Sequence, residues 1–435
     1  MHFLMSALGS AGDVHPFIAL GQALQRRGHE VELLASPWFQ ARIEAAGLGF
    51  LPVGEVGDYE RIVRLPGLWS PLRGFALLVR ELLAGLLAAH AVALPRVRPD
   101  TVLVGSTLAW HLRLLQEQLG NPGATLHLSP MCLFSGASPP RLPGLGGLDW
   151  LPPTAARAVL SAVEGLFLDP LVAPALNRVR ARLGLPPVRR VMSGWLHSPD
   201  LVIAAWPEWF APPQPDWPPQ AVVTGFPFFL QPGVGTTGPD DALPERPGSL
   251  GSVDALDPLA QFLAAGPPPV GITPGSAMAH GRGFFAKAVA ACRALGLRAV
   301  LVTPYADQLP NPLPPNCLHL PYVPFQRLVP RLAALVHHGG IGTCAQALAA
   351  GVPQLVCAFA HDQFDNAHRL QRLGVGRHVG RYARTARWTE ALALAVGSAE
   401  VAERCAQAAV AMRHSRDAAD DIAQRLEALG ARRGA

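Results

Sequence analysis

Short apolar runs alternate with helical patterns along most of this chain. HFLMSALG (2–9) is followed by a loop and by PFIALGQALQRRG, whose apolar positions recur at helical spacing. HEVELLA (29–35), a second helical stretch and LGFLPV (48–53) continue the alternation. TVLVGS (101–106), ATLHLSP (124–130), LVIAA (201–205) and AVVTGF (221–226) read as further strands of the same sheet. Strands separated by helices imply a parallel sheet covered by helices on both faces.

The pattern stops at QPGVGTTGPDDALPERPGSLGSV (231–253), which is rich in Pro, Gly, Asp and Ser and almost empty of large apolar side chains, as a linker is. It then restarts with PVGITPG (269–275), RAVLVTP (298–304), CLHLPYV (317–323), ALVHH (334–338) and QLVCAF (354–359), each followed by a helical pattern. The α/β organisation expected is therefore an N-terminal Rossmann-like domain over 1–230, a linker, and a C-terminal Rossmann-like domain over 254–435. Two doubly wound parallel sheets would face each other across a cleft, with the last helix free to return to the N-terminal domain. In such sheets ligands sit at the carboxyl ends of strands, so chemistry is sought in the loops that follow them.

Composition narrows the classes. A chain of 435 residues, half apolar and 15% charged, has ample material for two cores. Its net charge of +5 is spread out, with no run of basic residues interleaved with aromatics, which argues against a nucleic-acid partner. Lys287 is the only lysine. The six cysteines lie far apart without a CxxC pair, so neither a zinc site nor a disulfide framework is indicated and the expected location is the cytoplasm. The start, MHFLMSALGSAGD, lacks the basic residues and cleavage site of a signal peptide. One stretch, residues 74–95, is long and apolar enough to span a bilayer, but Arg80, Glu81 and His90 interrupt it. It reads as an amphipathic helix that is buried or touches the inner face of a membrane.

In ALVHHGGIGTCAQALAAGVPQ (334–354) a strand breaks into two histidines and a glycine cluster before a helix begins near Thr343. Glycines let an anion reach backbone N–H groups, and the helix N-terminus adds a favourable partial positive charge. His338, Gly339, Gly340, Gly342 and Thr343 thus describe a phosphate seat, although a plain strand-to-helix turn with a capping Thr reads the same way. AFAHDQFDNAHRL (358–370) places Asp362, Gln363 and Asn366 after the next strand, where a carboxylate beside amides suits sugar hydroxyls or, equally, caps a helix. Ser276 in TPGSAMAH either binds a phosphate oxygen or caps the following helix. In GSAGDVHPF (9–17), Asp13 and His15 are the ionisable side chains of the first loop. Asp13 is a candidate general base or the N-cap of a helix starting near Pro16, and His15 a neighbour or a structural histidine. A dinucleotide fingerprint is absent, no GxSxG marks a serine hydrolase, and the histidine pair is explained by phosphate without a metal.

Together, VHHGGIGTCAQALAAGVPQ and AHDQFDNAHRL resemble the donor-binding signature of family 1 glycosyltransferases, and GSAGDVHPFIALGQALQRRGHEV resembles that family's start. HSPDLVIAAWPEWFAPPQPDWP with TGFPFF (197–229) is similar, more narrowly, to the rhamnosyltransferases of rhamnolipid biosynthesis. The resemblance implies a GT-B fold and an inverting, metal-independent hexosyltransferase with no cofactor beyond its nucleotide-sugar co-substrate. It makes Asp13 the base with His15 beside it. It sets His338, Gly339, Gly340, Gly342 and Thr343 around the diphosphate with Ser276 opposite, and gives Asp362 and Gln363 to the sugar. Tyr322 would stack on the base and the Val323 backbone would pair with it. Gln346 stands where many members carry a ribose-gripping Glu, which leans towards dTDP. The donor implied is dTDP-L-rhamnose and the acceptor a lipophilic hydroxyl such as a 3-(3-hydroxyalkanoyloxy)alkanoic acid. UDP-glucose transfer to a sterol or polyketide, and a non-catalytic nucleotide-sugar-binding subunit, are the alternatives. The oligomeric state is left open.

Overall fold

Strand β1 (His2–Ser6) is buried along its whole length, as an apolar run must be when helices cover both faces of a parallel sheet. The computed structural model describes residues 1–143, 147–229, 257–413 and 418–432. In the first sheet β1 is joined by β2 (Glu30–Ala35), β3 (Gly49–Pro52), β4 (Thr101–Ser106), β5 (Gly123–His127), β6 (Leu201–Ala204) and β7 (Ala221–Val223). Their order is β3-β2-β1-β4-β5-β6-β7, parallel throughout. The second sheet holds β8 (Val270–Thr273), β9 (Ala299–Val302), β10 (Cys317–Leu320), β11 (Ala334–His337), β12 (Gln354–Val356) and β13 (Gly376–His378). It runs β10-β9-β8-β11-β12-β13, again all parallel.

The two sheets belong to two units. One comprises residues 1–229, 360–365 and 418–432, and the other 257–359 and 366–413. The expected linker over 231–253 lies outside the described residues. In each sheet the chain first builds outward on one side and then returns to the other side of its first strand. The switch points fall between β1 and β4 and between β8 and β11, where the flanking loops diverge and leave a crevice for ligand.

The C-terminal helix Ala418–Ala431 belongs to the first unit. Glu427 on it accepts hydrogen bonds from Arg27 at 2.6 Å and from His29 at 2.6 Å, and the Arg27 bond, against a little burial, draws the Glu427 carboxyl down to about 2. The helix Gly74–Ala93 is two-faced: Val79 and Leu86 are buried in a cluster with Trp110, Val172, Leu176 and Trp195. A second run long and apolar enough to cross a bilayer, Pro153–Arg182, corrects the expectation that 74–95 is the only one. Its acids conceal it from a sequence reading, but they face inward. Glu164, 1% exposed, accepts from the Ser193 N–H at 2.8 Å, and Asp169 accepts from the N–H groups of Arg190 and Val191.

Several buried histidines are neutral. Burial, aided by nearby His90, holds His111 down to about 3, and burial alone holds His197 to about 4. His337 is likewise pushed to about 3, by burial first and His338 second. The unfolded chain binds protons at these residues below its ordinary histidine pKa of about 6.5 while the folded chain does not, so stability is present above that value and lost as pH falls towards 4. Thermal unfolding should show a midpoint that is level above pH 7 and drops steadily between pH 6.5 and 4. A midpoint unchanged over that range would mean that these rings protonate without cost.

Candidate active site

At the second switch point β11 gives way to the helix Ile341–Ala350 through His338, Gly339 and Gly340. His337 fixes the turn from behind. Its Nδ1 accepts the Gly339 N–H at 3.1 Å, so Nε2 carries the proton and donates to Gln354 Oε1 at 3.0 Å. Asn366, fully buried, donates from Nδ2 to the Gly339 carbonyl at 2.9 Å. Gly339 adopts φ +94°, a left-handed value that side chains rarely take, and Gly340 is the N-cap. Thr343 lies in the first turn and Gln346 three residues on, which puts both on one face of the helix.

The His338 ring lies between two glycines from different loops. A Cβ on Gly275, which has φ +92°, would stand 2.7 Å from His338 Cε1, and one on Gly340 would stand 2.5 Å from Nε2. Burial draws the imidazole down to about 4, so it is neutral near pH 7, and its buried Nδ1 has no hydrogen-bond partner among the described residues. An unpartnered ring nitrogen beside the N-terminus of a helix is suited to an anion, which would take its hydrogen bond together with backbone N–H groups. Ser276 is exposed in the loop after β8, next to Gly275. It is not the cap of the following helix, whose N-cap is Gly281. Tyr322 is half-buried after β10, and the Val323 side chain belongs to the core with Val300, Leu328 and Leu335, leaving its backbone as the group able to pair with a ligand.

The loop after β12 groups with the first unit over residues 360–365. Asp362 immediately precedes the helix Gln363–Arg372. Gln363 is buried, and its Oε1 accepts the Ala360 N–H at 3.1 Å, so its carbonyl oxygen is engaged in shaping the turn.

In the first unit the helix after β1 spans Ala11–Arg26 with Ser10 as its N-cap. The expected start near Pro16 is therefore too late: Pro16 lies inside the helix, and Asp13 is its third residue rather than its cap. Asp13 Oδ2 accepts from the Ser10 N–H at 2.7 Å and the Ser10 hydroxyl at 3.1 Å, completing a capping box. Burial raises the Asp13 pKa above the usual carboxylate range and outweighs these two bonds, which lower it. Oδ1 accepts no hydrogen bond among the described residues. A carboxylate made more basic, held by one oxygen and open at the other, is a competent general base. His15 differs. Arg42 donates to its Nε2 at 2.6 Å, and burial, reinforced by that cation, draws it down to about 3. It suits a fixed neutral neighbour better than a base.

Cys132, after β5, shows which acids share this end of the sheet. Burial pushes its thiol up to about 12; a hydrogen bond with Thr107 opposes this, and the negative charges of Asp362, Asp13 and Asp365 add to it. Asp13 and Asp362 thus act on one sulfur. Ser10, Arg42 and Gln354 escape the sequence reading, although the Ser-x-x-Asp spacing at 10–13 was a legible capping signal. Among the described residues no group of three or more His, Cys, Asp and Glu side chains is arranged to hold a metal ion.

Residues 3–133 match the glycosyltransferase family 28 N-terminal domain, and residues 299–429 match the C-terminal domain of erythromycin biosynthesis protein CIII-like proteins. The O-mycaminosyltylonolide 6-deoxyallosyltransferase of Streptomyces fradiae is 32% identical, covering 92% of this chain and 90% of its own. The fold is similar to the glycotransferase of kitacinnamycin, with a TM-score of 0.70 at 22% identity over 98% of each chain. It is also similar to the spinosyn rhamnosyltransferase SpnG complexed with thymidine diphosphate, with a TM-score of 0.61 at 21% identity over 95% of this chain and 96% of that one. The architecture is GT-B, and the chain belongs to the hexosyl-transferring glycosyltransferase family that joins a family 28 N-terminal domain to an erythromycin biosynthesis protein CIII-like C-terminal domain.

Proposed function

We propose that this enzyme transfers L-rhamnose, with inversion, from dTDP-L-rhamnose to a hydroxyl of a lipophilic natural product, such as a 3-(3-hydroxyalkanoyloxy)alkanoic acid. The observation that carries the reading is the His338 ring held between Gly275 and Gly340 at the start of the Ile341 helix, a seat for a leaving diphosphate. Asp13 removes the acceptor proton as the oxygen attacks the anomeric carbon. Helix N–H groups, His338 and Ser276 take up the charge that develops on the diphosphate. Tyr322 and the Val323 backbone hold the base, Gln346 the deoxyribose, and Asp362 and Gln363 the sugar. A 6-deoxyhexose donor is favoured by the 6-deoxyallosyl group that the name of the S. fradiae relative specifies, since rhamnose is also a 6-deoxy sugar. Neutral Gln346 favours dTDP over UDP, because deoxyribose has one hydroxyl fewer to grip.

A lipophilic acceptor also gives the exposed apolar surface a use. Leu166 and Phe167, each 69% exposed on the Pro153–Arg182 run, would rest on the inner face of a membrane. Cosedimentation with phosphatidylglycerol vesicles, weakened by Leu166→Ser with Phe167→Ser, checks this; equal sedimentation of the double variant would refute it.

Asp13→Asn should lower kcat by about 10²–10⁴-fold while dTDP binds as before, and kcat/KM of the wild type should rise with pH through the raised Asp13 pKa. Turnover retained by the variant would place the base elsewhere. Gly340→Ala has an ordinary φ of −62°, so its fault is the collision with His338; dTDP affinity measured by calorimetry should fall by about 10- to 100-fold, the worth of a hydrogen bond to a charged group. A donor panel decides the nucleotide: preference for UDP-glucose over dTDP-L-rhamnose would replace the proposed donor by the alternative one.

A further inference from the structure

His361 is the one residue of the 360–365 loop with a left-handed backbone, φ +57°, and Arg190 is its only non-glycine companion among the described residues. Strained conformations of this kind persist only where surrounding contacts enforce them, and they gather at functional sites. The contacts here are specific. The ring meets the edge of Trp69, with centroids 5.7 Å apart at an interplanar angle of 76°, and an imidazole N–H donates to the Leu68 carbonyl. Gly74 makes room: a Cβ there would collide with the Leu68 carbonyl oxygen and stand 3.3 Å from His361 Cε1. The loop is braced on either side of the ring, by the Ala360 N–H bond to Gln363 Oε1 and by the Arg141 N–H bond to Asp365 Oδ1 at 3.0 Å.

We infer that His361 is a positioning residue that sets Asp362 and Gln363 for the transferred sugar by anchoring their loop to the 68–74 turn. This rests on the proposed role of Asp362 and Gln363 as sugar ligands. His361 does not touch the reacting atoms. Burial draws its ring down to about 4, so the anchor is a neutral hydrogen bond that holds across the working pH range. The diphosphate seat is built from other residues, so loss of the anchor should spare nucleotide binding and disable sugar transfer.

The test compares His361→Ala, His361→Gly, His361→Asn and His361→Gln in steady-state kinetics with dTDP-L-rhamnose and in dTDP calorimetry. Alanine and glycine should lower kcat at least tenfold with dTDP affinity within twofold of wild type. Glycine accepts the left-handed backbone, so its failure would isolate the lost hydrogen bond from relieved strain. One of the two amide variants, whichever carries its N–H to the position of the donating ring nitrogen, should recover most of the rate. Wild-type kcat in His361→Gly, or parallel losses of dTDP affinity and kcat in all four variants, would overturn the inference. Asp362→Asn run alongside separates the two levels: unchanged sugar-nucleotide kinetics there would remove the sugar-ligand reading itself, whatever His361 does.

Discussion

An imidazole can lie against two backbone turns at once only if neither turn carries a side chain, and the proposed diphosphate seat of this enzyme depends on that exclusion. Gly275 follows β8 and Gly340 follows β11, strands that are hydrogen-bonded neighbours only because the sheet reverses its order between them. The ring of His338 therefore reports that the two loops stand in the correct register. His337, Gln354 and Asn366 hold the turn from behind through neutral hydrogen bonds, committing buried polar groups to the direction of the Ile341 helix. A helix N-terminus offers little as a charge alone; its value lies in N–H groups already aimed when the anion arrives.

The first unit solves a different problem with the same economy. A general base must be poised by its surroundings, yet every hydrogen bond that fixes a carboxylate also makes it less basic. Asp13 resolves the conflict by giving one oxygen to the capping box with Ser10, while burial acts on the whole group and prevails. A motif whose ordinary service is to start a helix thereby orients the proposed base. His15, two residues on, receives the opposite treatment, since Arg42 and burial both remove its proton.

The strands of each sheet were legible because buried parallel strands write themselves as unbroken apolar runs. Twelve such runs find a strand; β13, whose residues are Gly-Arg-His at a sheet edge, carries no such mark. The first helix was placed too late because Pro16 imitates a first-turn proline, while Ser10 and Asp13 carried the true start. The Pro153–Arg182 run was obscured by acids whose partners, such as Ser193 for Glu164, come from further along the chain. The same limit governs the site. The glycines and His338 are contiguous enough to read, whereas Arg42 on His15, Leu68 on His361 and Arg141 on Asp365 are meetings that only the fold arranges.

The proposed division of labour rests on one short loop. Residues 360–365 emerge from β12 of the second sheet but belong by their contacts to the first unit, which also contains Asp13. In the proposed function, nucleotide recognition and sugar handling therefore draw on different residues: the first on Gly275, His338 and Thr343, the second on the surroundings of His361 and Cys132.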